Sequence, residues 1–108
     1  MARLRCPCIG GDVELTEERM RHIADHHPDL LPEHLDRIME TVADPDDVRR
    51  SARAANARLL TRWFGDLRGG KHVVVVVATD QGRPERHWVV TAYMARRLAP
   101  GVVTWVRS

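Results

Sequence analysis

Apolar and polar positions alternate most clearly in the second half of the chain. Residues 71–79 hold five consecutive valines, which are β-branched and suit a pleated, buried surface better than a helix. A polar loop with Asp80, Gly82 and Pro84 follows, and then a second strand over 87–93. Strict alternation sends His87, Val89, Thr91 and Tyr93 to one face and Trp88, Val90, Ala92 and Met94 to the other. The pattern therefore predicts a hairpin with one apolar face beneath a cover and one face bearing an imidazole, a hydroxyl and a phenol. Upstream, Arg58, Leu60, Arg62 and Phe64 share one side of a strand, with Leu59, Thr61 and Trp63 on the other. Val48 to Ser51 reads as the start of another strand, and 51–57 is ambiguous between helix and sheet. Residues 102–106, after the turn Ala99-Pro100-Gly101, read as a short closing strand with Trp105.

Helical spacing marks two segments ahead of these strands. Thr16 stands where an N-cap belongs, with Glu17 and Glu18 in the first turn, where the helix dipole favours anions. Met20, Ile23, His27 and Leu30 run along one stripe, and the helix must end near His27 because Pro28 disfavours helical geometry before it. Pro32 is expected to open a second helix, in which Leu35, Ile38, Met39 and Val42 form a core-facing face. Asp44-Pro45-Asp46-Asp47 stops it. Residues 2–11 have room for a short strand, and Val13 and Leu15 for a second extended piece. The expected architecture is a single α+β domain over residues 1–108. Two N-terminal helices pack on one face of an antiparallel sheet of about four strands.

Composition narrows the class further. No run is apolar and long enough to span a membrane, and the first ten residues lack the apolar centre of a signal peptide, so a cytoplasmic protein is expected. Cys6 and Cys8 are separated only by Pro7, which points to reduced thiols rather than a disulfide framework. The net charge of +2 permits an anionic partner without demanding one. Of 17 basic residues, 16 are arginine, and Lys71 stands alone at the mouth of the valine strand. A lysine there serves either as a compact ammonium for a ligand or as a charge that blunts a strand end.

Three constellations have chemical potential. His22, His26 and His27 lie close on one helix; His22 and His26 share a face, and His27 is either a core histidine or a functional one. Cys6 and Cys8 with His22 and His26 have the ligand types of a tetrahedral zinc site, although Cys-x-Cys is not the usual spacing. On the polar sheet face, Arg62, Lys71, His87, Thr91 and Tyr93 would suit a phosphodiester. Cations stabilise a pentacoordinate phosphorane, and a histidine can move the proton of an attacking 2′-hydroxyl. The same face also reads as the ordinary solvated side of a half-buried sheet. The chain has no phosphate-cradling glycine loop and no nucleophile elbow.

Val13-Glu14-Leu15-Thr16 before a helix, His22-Ile23 and His27-Pro28, Asp44-Pro45-Asp46 after the second helix, the valine strand, and Thr91-Ala92-Tyr93 occur in that order. Together they resemble the phage- and polymorphic-toxin-associated nucleases grouped with barnase, EndoU, the tRNA-cutting colicins and the RelE-type toxins. The resemblance covers about residues 13–106. It implies an endoribonuclease that needs neither metal nor cofactor and yields a 2′,3′-cyclic phosphate. His22, Arg62, Lys71, Thr91 and Tyr93 would be its catalytic residues, and His27, His87 and Arg86 would bind substrate. RNA would be the substrate, and an antitoxin or immunity protein a partner. The sequence departs from the pattern at His26, where an arginine is expected, and in the Cys6-Pro7-Cys8 start. A non-catalytic RNA- or protein-binding module and a small zinc-binding domain are the alternatives.

Overall fold

The structure, a computed structural model, describes residues 2–82 and 85–107, so Pro84 of the expected loop lies outside the described residues. Its elements in chain order are β1 (Ala2–Cys6), β2 (Gly11–Leu15), α1 (Glu17–His26), α2 (Leu35–Ala43), β3 (Asp47–Arg50), β4 (Ala57–Phe64), β5 (Lys71–Asp80), β6 (Arg86–Ala95) and β7 (Val103–Val106). The strands form one seven-stranded sheet in the order β1-β2-β6-β5-β4-β3-β7. All neighbours are antiparallel except β2 and β6, which run parallel with Glu14 opposite Trp88.

This corrects the expected four-stranded antiparallel sheet under two N-terminal helices. The sheet is mixed, and two of its strands precede the helices. The terminal strands β1, β2, β3 and β7 have only four or five residues, too few to display a period, so their membership is decided by ladder hydrogen bonds that no sequence pattern encodes. The valine strand keeps its expected place. As the central strand of seven it is covered on both faces, with Val73, Val75 and Val77 fully buried on one side and Val74 nearly so on the other.

Thr16 caps α1 as expected, its hydroxyl accepting a hydrogen bond from the Arg19 N–H at 3.1 Å. The helix stops at His27, whose N–H closes onto the Ile23 carbonyl. Pro32 does not open α2, which begins three residues later at Leu35. Leu30 and Leu31 are instead buried in the connecting turn, held there by N–H groups of Leu30 and His34 bonding the carbonyls of His27 and Leu30. Ser51 resolves the ambiguous stretch as a turn, its hydroxyl accepting from the N–H groups of Arg53 and Ala54.

One face of the sheet packs against α1, α2 and the β1–β2 hairpin around Ile23, Leu30, Ile38, Leu60, Val75 and Val89. The sheet curls strongly: the hairpin tip at Cys8 and Ile9 shares a cavity with Val48, Arg58 and Trp105 from the opposite end of the strand order. The other face is crossed by residues 96–102, because the chain leaves β6 and rejoins the sheet beyond β3. Arg49 Nη1 holds this crossing segment through the Ala99 carbonyl at 3.0 Å, and the Arg50 N–H donates to the Val102 carbonyl at 2.9 Å.

Candidate functional site

Which side chains reach the open face is decided by a single irregularity in β6. The ladder pairs Val77 with Val89 but Val76 with Thr91, so Val90 is an extra residue, a β-bulge. The bulge reverses the alternation halfway along the strand. His87 and Val89 point to the helix side, and Ala92 and Met94 join them there. Thr91 and Tyr93 remain on the open face, together with Val90.

Two expectations from strict alternation are thereby corrected. Trp88 and Val90 are not buried beneath the helices; both are half-buried, Val90 lining the open-face groove and Trp88 a cleft beside Asn56 and Arg58. His87 is not on the open face. It is buried against Gly11, its Nδ1 lies 2.8 Å from the Thr79 hydroxyl, and its Nε2 is 3.1 Å from Glu85 Oε1. The physical cause is the inserted residue, because a single-residue shift moves every later side chain to the opposite face.

The cations of the expected site are also separated from Thr91 and Tyr93. Arg62 lies opposite Val73 and Lys71 opposite Phe64, both on the helix-side register. Arg62 is already engaged: its Nη1 donates to the Asp44 carbonyl at 2.8 Å and to Asp44 Oδ2 at 3.2 Å, and its guanidinium lies over the Phe64 ring. Arg86 is bound to Glu14 at 2.8 Å, which holds the Glu14 carboxyl below its usual range and raises Arg86. His22 is half-exposed on α1, its ring 4.3 Å from that of His26, whose Nδ1 is 2.9 Å from the His22 carbonyl. Among the described residues no three His, Cys, Asp or Glu side chains are grouped as metal ligands, so the four candidate zinc ligands are not assembled.

What the fold does bring together is a groove of about 610 Å³ between the open face and the crossing segment. Its floor is Val74, Val76, Leu59 and Thr61, and Thr91 and Tyr93 stand along it. Arg53 and Arg97 are exposed at its margin and have no carboxylate partner among the described residues, whereas Arg50, opposite Arg58, belongs to the helix-side register. At the α1 side, the His27 ring lies 6.0 Å from the Tyr93 ring, fixed by a backbone bonded on both sides. The same face continues to an aromatic pair, the exposed Trp63 edge-on to the half-buried His72 at 4.8 Å.

Sequence reasoning missed the marginal Arg53 and Arg97 because they sit in turns without a period. A signal was present: from Val48 to Phe64 there are five arginines and no carboxylate. No family model matches this chain, and no curated protein or solved structure matches it. No described helix is long and apolar enough to cross a membrane.

Proposed function

We propose that this domain is a metal-independent endoribonuclease that lays single-stranded RNA along the open-face groove and cleaves it by 2′-hydroxyl attack. The observation that supports this reading is the groove itself. It combines an apolar floor, a phenol and a hydroxyl, an aromatic pair further along the same face, and two exposed arginines with no carboxylate partner among the described residues. Bases stack on aromatic and apolar surface while arginines follow the phosphates, which is how single strands are held without a sequence code.

For the chemistry, His27 lies beside Tyr93, whose side chain lines the groove. A histidine can take the 2′-hydroxyl proton near neutral pH, and the tyrosine and Thr91 hydroxyls can orient the phosphate or pass a proton to the leaving oxygen. The charge that Arg62 and Lys71 were expected to supply falls instead to Arg53 and Arg97, since Arg62 neutralises Asp44 on the other side of the sheet. His27 therefore replaces His22 as the proposed proton-transfer group. A protein inhibitor, if the toxin resemblance extends so far, would present carboxylates to the same arginines.

The test is an end-labelled single-stranded RNA and its 2′-deoxy counterpart, incubated in chelator with the unmodified protein, His27→Ala and His22→Ala. The expected result is cleavage of the RNA alone, a 2′,3′-cyclic phosphate end, a loss of roughly a hundred-fold or more in His27→Ala and little change in His22→Ala. Cutting of the deoxy strand removes 2′-hydroxyl attack. RNA that is bound in a mobility shift but never cut makes the domain a binding module, and RNA that is neither bound nor cut ends both readings.

A further inference from the structure

We propose that Cys8 and Cys6 form a dithiol site that reduces small anionic disulfides, with Cys8 as the attacking thiol and Cys6 as the resolving one. The pair lies outside the groove, at the tip of the β1–β2 hairpin. Their sulfurs are 3.3 Å apart and share a hydrogen. The two thiols are not equivalent in access: Cys6 is fully buried at the end of β1, whereas Cys8 is partly exposed in the turn. Cys8 opens into a cavity of about 420 Å³ whose wall carries Arg50 and Arg58, with Trp105 across from them.

This arrangement divides the labour of thiol–disulfide exchange. The S–H of Cys6 donated to Cys8, with the nearby Arg58 charge, brings the Cys8 thiol down to about 7 and pushes that of Cys6 up. A thiol titrating near ambient pH is close to the optimum for attack, because a lower value would cost nucleophilicity. The arginines select the substrate: a disulfide bearing carboxylates is drawn to Cys8, and a cationic one is repelled.

The steps balance. Cys8 thiolate attacks one sulfur of RS–SR, forming a Cys8–SR mixed disulfide and expelling RS⁻, which takes a proton to become RSH. Cys6 then loses its proton to solvent and attacks the Cys8 sulfur. The Cys6–Cys8 bond forms and a second RS⁻ leaves, to be protonated in turn. Two protein thiols are oxidised and one disulfide is reduced to two thiols. The sulfurs must close from 3.3 Å to about 2.05 Å, a side-chain rotation within a turn that holds them one residue apart. Return to the dithiol takes the reverse exchange with two equivalents of an external thiol R′SH, which leave as R′S–SR′.

Intact-mass spectrometry of the unmodified chain with glutathione disulfide, the neutral hydroxyethyl disulfide and the cationic cystamine tests this. The expected result is loss of two hydrogens with no lasting adduct, fastest with glutathione disulfide and slowest with cystamine. Cys6→Ser should instead accumulate the mixed disulfide, and Cys8→Ser should stay unreacted over the same interval. Should Cys6→Ser fail to fold, brief alkylation of the unmodified chain with iodoacetamide followed by peptide mapping asks the same question. Cys8 should be labelled first, at about three times the rate of an ordinary cysteine at pH 7. Equal labelling of both thiols, a Cys8→Ser variant that reacts like the unmodified chain, or a persistent adduct with no internal bond overturns the proposal.

Discussion

At the scale of single residues, His87 shows how a polar group can be mistaken for a site. Its ring is buried, yet both nitrogens have partners: Nδ1 lies 2.8 Å from the Thr79 hydroxyl and Nε2 3.1 Å from Glu85 Oε1, and because a carboxylate only accepts, we assign a proton to Nε2 and let Nδ1 accept from Thr79. That assignment leaves nothing for a substrate to bind. Thr79→Val keeps the shape but strands Nδ1 in the core, where an unpaired acceptor costs about 1–3 kcal/mol. Chemical denaturation should therefore show a lower midpoint with an unchanged slope. A variant as stable as the parent would mean that Thr79 and His87 are not bonded. The same logic separates Arg62 from Arg97: one guanidinium is engaged with Asp44, the other has no such partner among the described residues, and only the second has charge to spare.

At the scale of elements, the bulge at Val90 is what makes an open-face site possible. It lets one strand present His87, Val89, Ala92 and Met94 to the helices while Thr91 and Tyr93 serve the groove. Ala92→Asp would bury a charge and should cost at least about 3 kcal/mol, whereas Thr91→Asp should cost under about 1 kcal/mol. Thermal melts of the two variants check the register directly. If Thr91→Asp is the one that unfolds, the alternation runs without a bulge. Both helices, the Thr16 cap of α1 and the three long strands were legible in the sequence because each element is long enough to repeat its period, and Thr16 and Pro28 punctuate α1, whereas the start of α2, which His34 enters without a side-chain cap, was not. The bulge was not legible, since Trp88-Val90-Ala92 alternates as well as any regular strand. Nor were the short edge strands, whose places depend on partners far away in the chain. Of the candidate site, Thr91, Tyr93 and His27 were named from the sequence; Thr91 and Tyr93 line one groove, and the His27 ring lies 6.0 Å from that of Tyr93. Arg62, Lys71, Arg86 and His87 were named too, but their faces and ion pairs depend on tertiary neighbours.

At the scale of the whole molecule, two ion pairs fasten the parts that the sheet hydrogen bonds hold least. Glu14 to Arg86 at 2.8 Å spans the parallel junction of β2 and β6, where the ladder has a single register pair. Asp66 to Arg37 at 2.6 Å ties α2 to the β4–β5 turn, with Arg37 also lying over Phe64. Hydrogen bonds from Arg86 and Arg37 depress the two carboxyls below their ordinary values of 4.5 and 3.8. Lowered folded values mean that the stabilisation is fully present above those ordinary values and is lost as pH falls through the depressed ones. Arg86 and Asp66 are exposed while Glu14 and Arg37 are half-buried, so the effect is partly screened by salt and modest in size. Melting temperature measured from pH 7 to pH 3 at low salt should stay level to about pH 5 and then fall. In a Glu14→Gln, Asp66→Asn double variant the starting value should be slightly lower and the acid-side fall shallower, and added salt should bring the two curves together. Parallel curves at low salt would show that these pairs do not couple the hairpin and α2 to the sheet, leaving the apolar contacts of Leu15 and Ile38 to hold both in place.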